Sequence, residues 1–175
     1  VVNAVTNKVV KEIPTSIQVT RRALVSPDGK LLYVAGNKTS AIGVIDLAKG
    51  VEVRTIPVGR EPRGGLAFLP DGKTIVNMSV EDDTAYVVDA ATGKTSLIIG
   101  VPGSPQRLFI APTGTAIVLS RLMNMVVRIG ELQKHDQTKW VSTGVSPWGR
   151  GVPSDFSVGA GDDNREEDRG VGEGG

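Results

Sequence analysis

Cysteine is absent from this chain of 175 residues, and histidine occurs once, at position 135. The lack of cysteine excludes disulfides, thiolate metal ligands, cysteine nucleophiles and thioether-linked haem. One imidazole is also too few for a zinc or haem site that this chain supplies alone. The sequence therefore predicts no cofactor and no metal site.

Aromatic residues make up only 4% of the chain, and no stretch before residue 155 clusters five like charges. Proteins that bind single-stranded nucleic acid stack bases on aromatic side chains along a basic groove, so nucleic-acid binding is disfavoured. No apolar run approaches the roughly 18 residues of a membrane-spanning helix, so no membrane span is predicted. After position 154, seven acidic residues face two arginines, which leaves the rest of the chain modestly basic.

A turn motif recurs three times along the chain. Pro27-Asp-Gly-Lys30 returns as Pro70-Asp-Gly-Lys73 and, weakened, as Pro112-Thr-Gly-Thr115, so the prolines lie 43 and 42 residues apart. Asp46 and Asp89 lie 43 residues apart as well, each before a turn that ends in glycine. Because both markers keep one register, the sequence predicts an internal repeat.

A third marker, a loop that ends in proline, recurs at Pro62, Pro105 and Pro147. Within each repeat we expect four short strands, which in the second complete repeat are about 65–69, 74–80, 85–89 and 95–99. These segments are rich in valine and isoleucine and are bounded by turn residues. No window of a dozen residues keeps a helical period, so the sequence predicts an all-β protein.

Four antiparallel strands in 42–43 residues are typical of a β-propeller blade. One blade is too small to be stable alone and must stack on its neighbours, which explains the apolar pattern without a cofactor. We predict about three and a half blades, a partial propeller. A partial blade covers 1–19, full blades cover about 20–62, 63–105 and 106–147, and a glycine-rich acidic tail over 150–175 is predicted to be disordered.

The residues around the first hairpin stand in a specific order. Ser26-Pro-Asp-Gly-Lys-Leu-Leu-Tyr-Val-Ala-Gly-Asn37 is followed by Val44-Ile-Asp46 and by Ile56-Pro-Val-Gly-Arg-Glu-Pro62. This order resembles the YVTN family of β-propeller repeats, whose tetrad appears as Tyr33-Val34-Ala35 with Asn37 one residue late. Pro147-Trp148-Gly149 is similar to the loop that opens a new blade in that family, so the resemblance covers residues 1–149.

The resemblance implies a bacterial or archaeal protein that is periplasmic, secreted or on the cell surface. It also implies a ring of about seven blades that binds a partner or forms part of a larger enzyme. No charged-then-apolar leader begins the sequence, so this extracytoplasmic location rests on the resemblance alone. The repeats predict 14 strands, about half of such a ring. A fragment of a longer propeller, a homo-oligomer whose copies complete the ring, and a closed four-blade ring all remain open.

In a propeller, the loops that lead into each first strand share one rim with the loops between the second and third strands. Ligands and partners meet this rim. It holds the candidate ligand-binding residues Arg60, Arg63, Arg107, Arg121 and Trp148. Arg63 and Arg107 suit a carboxylate or phosphate, and pairing of Arg63 with Glu61 is the structural alternative. No catalytic residue is predicted.

The remaining polar motifs have structural interpretations. The run 81–83 of three acidic residues lacks the alternating spacing of a calcium loop and is interpreted as a solvated turn. Asp46 and Asp89 recur in register, which indicates turn capping. His135 lies in a polar hairpin without a serine or carboxylate motif beside it.

Three functions follow as hypotheses. The first is a non-enzymatic binding or scaffold module, or a fragment of a larger propeller, that presents its rim to a protein, glycan or small-molecule partner. The second, which the resemblance implies, is part of an extracytoplasmic propeller enzyme of the lactonase or the quinone- or haem-dependent oxidoreductase type. The third is a structural protein that assembles through open blade edges.

Overall fold

The computed structural model of the chain describes residues 1–123, 125–132 and 138–142. Every regular element in these residues is a β-strand, and none is a helix long and apolar enough to cross a membrane. The strands in chain order are β1 (Val2–Asn3), β2 (Lys8–Val9), β3 (Thr20–Val25), β4 (Leu31–Gly36), β5 (Ala41–Asp46), β6 (Val51–Pro57), β7 (Gly65–Phe68), β8 (Thr74–Ser79), β9 (Thr84–Asp89), β10 (Thr95–Gly100), β11 (Pro105–Ile110), β12 (Thr115–Ser120), β13 (Met125–Glu131) and β14 (Thr138–Ser142).

The strands form three four-stranded antiparallel sheets, each built from consecutive strands. The first sheet is β3–β6, the second β7–β10 and the third β11–β14, while β1 and β2 pair as a separate hairpin. Cross-strand pairing repeats with the sequence, since Tyr33 lies opposite Val44 and, 43 residues later, Val76 lies opposite Val87. The sheets therefore keep the register of the repeats.

The sheets stack face to face, and their first strands lie side by side, with β3 against β7 and β7 against β11. Between the first and second sheets, Tyr33 and Val44 pack with Ile75 and Val88, all almost fully buried. The rings of Tyr33 and Phe68 meet edge to face at 5.6 Å across the same interface. Burial of aliphatic side chains between sheets is the main stabilising contribution, because a single sheet has no core of its own.

The interface between the second and third sheets is built in the same way. Val76 and Met78 of β8 pack with Val118 and Val127 of the third sheet. Side chains alternate along β8, so that Ile75 faces the first sheet and Val76 the third. The apolar pattern of the repeats is thus accounted for by contacts between sheets.

Tight turns close one end of every sheet. Asp71 Oδ1 accepts hydrogen bonds from the backbone nitrogens of Lys73 and Thr74, at 2.8 and 2.9 Å, and Gly72 has φ of +65°. Asp46 and Asp89 cap the second type of turn, accepting from the nitrogens of Lys49 at 2.9 Å and Thr92 at 2.6 Å. Their recurrence in the sequence has this structural cause.

In the second repeat, each predicted strand coincides with an observed strand to within one residue at either end. Residue 69, predicted to end the first strand, already belongs to the hairpin, where its nitrogen donates to the Thr74 carbonyl at 2.8 Å. His135, Trp148 and the predicted tail over 150–175 lie outside the described residues, so the structure does not test these predictions.

Candidate functional site

The loops at the other end of the sheets come together on one rim. The nitrogen of Val80, in a loop between second and third strands, donates to the carbonyl of Glu61 at 3.0 Å, in a loop that leads into a first strand. Leu122 and Gly103 are joined in the same way at 2.8 Å. We call this end the loop rim (residues 17–19, 37–40, 58–64, 80–83, 101–104 and 121–123) and the opposite end the turn rim (26–30, 47–50, 69–73, 90–94 and 111–114).

The two rims differ in backbone conformation. Every positive φ on the turn rim belongs to a glycine, for which this conformation carries little strain. On the loop rim, four residues with side chains have φ between +48° and +61°: Val19, Glu61, Asp83 and Ser104. Three of them, Val19, Glu61 and Ser104, recur in the loops that lead into β3, β7 and β11. Among the described residues of the three sheets, non-glycine residues with positive φ therefore lie on the loop rim.

Arg60 lies exposed on the loop rim and is held by two acidic side chains. Its Nε contacts Asp82 Oδ1 at 2.7 Å, its backbone nitrogen donates to Asp82 Oδ2 at 2.6 Å, and its Nη1 lies 3.6 Å from Glu81. The hydrogen bonds from the backbone and side chain of Arg60 lower the pKa of Asp82. Arg60 is thus part of a surface ion-pair network.

Arg63 lies nearer the first strands and is half-buried. Its Nε donates to Glu61 Oε2 at 2.9 Å, and its Nη1 donates to Gln106 Oε1 at 3.2 Å. The pairing with Glu61, the structural alternative from the sequence, is present. The contact with Gln106 links Arg63, in the loop before β7, to the first strand of the third sheet.

Arg22 lies on β3, next to the loop rim, and was not predicted from the sequence. Its Nη2 donates to the carbonyl of Gln106 at 3.2 Å and to that of Gly64 at 3.5 Å. One side chain of the first sheet therefore reaches both the second and the third sheet. Gln106 is buried and receives both Arg22 and Arg63, the first on its carbonyl and the second on its side chain.

Arg22, Arg63 and Arg107 form what we call the arginine cluster. Burial lowers the pKa of Arg22, and repulsion from Arg107, Arg63 and Arg21 lowers it further, in that order. In the described part of the chain, Arg22 forms no ion pair with a carboxylate. The neighbouring charges that lower the pKa of this half-buried guanidinium belong to arginines.

Three further predicted ligand-binding residues are Arg107, Arg121 and Trp148. The Arg107 side chain is exposed at the start of the third sheet. Arg121 follows β12 on the loop rim, where its nitrogen donates to the Ser104 carbonyl at 3.2 Å and its side chain is exposed. Trp148 lies beyond the described residues. Of the five predicted ligand-binding residues, Arg63 and Arg107 both lie close enough to Arg22 to lower its pKa.

The three acidic residues 81–83 do not converge. Glu81 and Asp82 turn to Arg60, while Asp83 Oδ1 accepts a hydrogen bond from the nitrogen of Ser104 at 2.8 Å. Within residues 1–123, 125–132 and 138–142, no three potential metal ligands among histidine, cysteine, aspartate and glutamate come together.

A signal for Arg22 was present in the repeat register. Arg22 precedes Pro27 by five residues, and Arg107 precedes Pro112 by five. The same position in the second repeat is Gly65, where an added Cβ would overlap the Leu108 side chain. An alignment of the repeats on their prolines therefore places Arg22 and Arg107 at equivalent positions. A comparison of the loops alone leaves Arg22 out, because it lies within a strand.

Solved structures share this arrangement of sheets. Hydrazine synthase from Kuenenia stuttgartiensis superposes with a TM-score of 0.66 at 22% identity, over 77% of this chain and 38% of that one. A functionally unknown protein from Desulfotomaculum acetoxidans gives 0.64 at 16% identity, over 81% and 46%. The WD40 β-propeller domain of Doa1 gives 0.61 at 23% identity, over 75% and 44%.

The chain has the fold of β-propeller blades. It spans less than half the length of each of these structures, and at such low identity the likeness concerns the fold alone. No family model and no curated protein sequence matches the chain. The predicted all-β partial propeller is confirmed.

Proposed function

We propose that the chain is a non-enzymatic binding module, or part of one, that presents its loop rim to a protein, glycan or small-molecule partner. The observation that carries this proposal is the concentration of strained backbone on the loop rim. Left-handed conformations at residues with side chains cost of order 1–3 kcal/mol each and persist where the surrounding structure enforces them, often at binding sites.

Val19 is the most telling of these residues. A β-branched side chain at φ of +51° is strained, and this valine is also 49% exposed. Packing does not require valine at this position, because the side chain is half exposed. Turn geometry does not require it either, because glycine occupies every positive-φ position of the turn rim. An exposed apolar side chain on strained backbone suits contact with a partner better than it suits stability.

The chemistry of the arginine cluster supports binding rather than catalysis. A guanidinium donates up to five hydrogen bonds but does not give up its proton in the physiological range, so it cannot act as a general base. Gln106 is neutral, and Glu61, the carboxylate beside the cluster, is held by Arg63 Nε at 2.9 Å. These groups suit the holding and orienting of a ligand.

We further propose that the repeats belong to the YVTN family and that the protein works outside the cytoplasm. Tyr33, Val34 and Ala35 of the resembling tetrad all lie on β4, and Tyr33 and Ala35 pack towards the second sheet. The motif thus occupies the interface between two blades, where a repeat family would keep its apolar residues.

We also infer that one more blade covers the outer face of the first sheet in the complete propeller. A groove of about 430 Å³ lies on that face, lined by apolar residues such as Leu32, Val34 and Ile45 and by Arg21 and Arg22. Ile13 and Ile17 of this chain cover part of the same face. In the second sheet the positions 43 residues later, Ile75, Asn77 and Val88, face the first sheet. The groove is therefore where a preceding blade would pack. Light scattering tests whether a second copy supplies it, because a mass of 18.4 kDa would exclude a homo-oligomeric ring.

A thermal-shift screen of the chain against small molecules and oligosaccharides tests the proposed binding face. We expect compounds that raise the melting temperature of the wild type and fail to do so for the double variant R63E/R107E. The matched control is K30E/K73E, which reverses two charges on the turn rim. Compounds that still stabilise R63E/R107E but lose their effect on the control would contradict the proposal.

A further inference from the structure

We propose that the arginine cluster, Arg22, Arg63 and Arg107, is a binding site for the oxyanion group of a small molecule, a phosphate or a carboxylate. This inference rests on the proposed role of the loop rim and names the class of ligand that the rim takes. It adds Arg22 as the central ligand-binding residue.

The geometry of Arg22 carries the argument. Its guanidinium donates to three backbone carbonyls, of Arg21 and Gly64 at 3.5 Å and of Gln106 at 3.2 Å. Hydrogen bonds from a guanidinium to an anionic oxygen are typically about 2.7–2.9 Å long. Arg22 is thus half-buried, and its contacts among the described residues are long ones to neutral carbonyls.

The charges around Arg22 favour an anion. Arg107, Arg63 and Arg21 all act on it with the same sign and, together with burial, lower its pKa. An oxyanion bound beside these guanidiniums would replace repulsion between like charges with attraction. Lysine would provide a point charge, whereas arginine offers the planar pair of donors that matches two oxygens of a phosphate or carboxylate.

The backbone between the arginines is shaped by glycine. The Gly64 carbonyl accepts from Arg22, and a Cβ at Gly64 would overlap the carbonyl oxygen of Pro105. Gly65 follows with no side chain, at the position that arginine occupies in the neighbouring repeats. The absence of side chains at both residues lets the second sheet approach Pro105 and Leu108 of the third sheet closely, beside the Gln106 carbonyl that Arg22 contacts. Gln106 is fixed in turn, since its Nε2 donates to Ser104 Oγ at 2.9 Å.

Titration calorimetry at low ionic strength tests the site with inorganic phosphate and, separately, with citrate. We expect at least one of the two anions to bind the wild type and R22Q to weaken its binding by about tenfold or more, the usual effect of losing a charge-assisted hydrogen bond. R107Q alters an exposed side chain, and we expect the same direction of change. The control K30Q removes one positive charge from the turn rim and should change the affinity less than about twofold.

Each outcome has a defined meaning. Binding of phosphate alone assigns a phosphate group to the site, and binding of citrate alone assigns a carboxylate. No binding of either anion, or equal losses for R22Q and K30Q, would overturn the inference. If neither anion binds but screened compounds still require Arg63 and Arg107, the oxyanion site is wrong and the proposed binding rim stands.

Discussion

Ser79 and Ser120 end the second strands of two neighbouring sheets, yet only Ser120 has a partner for its hydroxyl. Ser120 Oγ lies 2.6 Å from the carbonyl of Pro102 and 2.8 Å from that of Gly103, so its single proton has two available acceptors. Ser79 Oγ is equally buried and finds no partner among the described residues. Two equivalent positions thus differ in how well they secure the loop rim.

This difference predicts unequal costs for the same substitution. S120A leaves the Pro102 carbonyl without its hydrogen bond and should lower the free energy of unfolding by about 1–3 kcal/mol. S79A removes a hydroxyl that is already unsatisfied, so we expect a change within about 0.5 kcal/mol or a slight gain. Urea unfolding of both variants measures the difference. Equal losses would show that the two loops are secured alike.

Gly64 and Gly100 give a second matched pair. A Cβ at Gly64 would overlap the backbone of Pro105, which cannot move without shifting the first strand of the third sheet, whereas a Cβ at Gly100 meets nothing within 4 Å. We expect G64A to cost about 1–3 kcal/mol or more in unfolding free energy. G100A should stay within about 0.5 kcal/mol. Chemical denaturation decides the matter, and a tolerated G64A would contradict the close approach of β7 and β11.

Val19 provides a test of backbone strain. V19G relieves a left-handed conformation that costs about 1–2 kcal/mol for a residue with a Cβ, partly offset by the greater freedom of glycine in the unfolded chain. We expect a net gain of about 0.5–1 kcal/mol. The same substitution at Val25, an exposed residue of β3 with ordinary strand geometry, should instead destabilise the protein by about 1 kcal/mol. A loss of stability in V19G would show that Val19 is not strained, and the proposed function would lose its main support.

The turn-capping aspartates predict how stability depends on pH. Hydrogen bonds from the backbone of the turn lower the pKa of Asp46 and of Asp89 below the ordinary value of 3.8. Each carboxylate therefore contributes stability above that value, and the contribution is lost as the pH falls through the lower folded pKa. D46N/D89N keeps the oxygen acceptors and removes the charges. We expect its melting temperature to fall less than that of the wild type between pH 6 and pH 3, in parallel thermal melts.

The repeat spacing was sufficient to predict the sheets. Pro27 and Pro70 mark equivalent hairpins, Asp46 and Asp89 mark equivalent caps, and strands of valine and isoleucine between them have few alternatives to antiparallel pairing. The prediction worked because each of these residues acts locally, within a turn or along one strand.

The candidate site was predicted only in part, because it depends on contacts between repeats. Arg63 follows a rim proline and was found, while Arg22 is 84 residues from Gln106 in the sequence and contacts it only because β3, β7 and β11 lie side by side. Sequence patterns within one repeat do not show which residues of other repeats a long side chain contacts. The left-handed conformation of Val19 was equally hidden, since valine gives no signal for positive φ.

Backbone amide spectra of the 15N-labelled chain, recorded during titration with phosphate, test most directly whether the arginine cluster of the loop rim is the binding face. We expect chemical shift changes that saturate and concentrate on Arg22, Gly64, Gln106 and Arg107. Changes centred instead on the turn rim, around Asp28 and Lys73, would contradict the account.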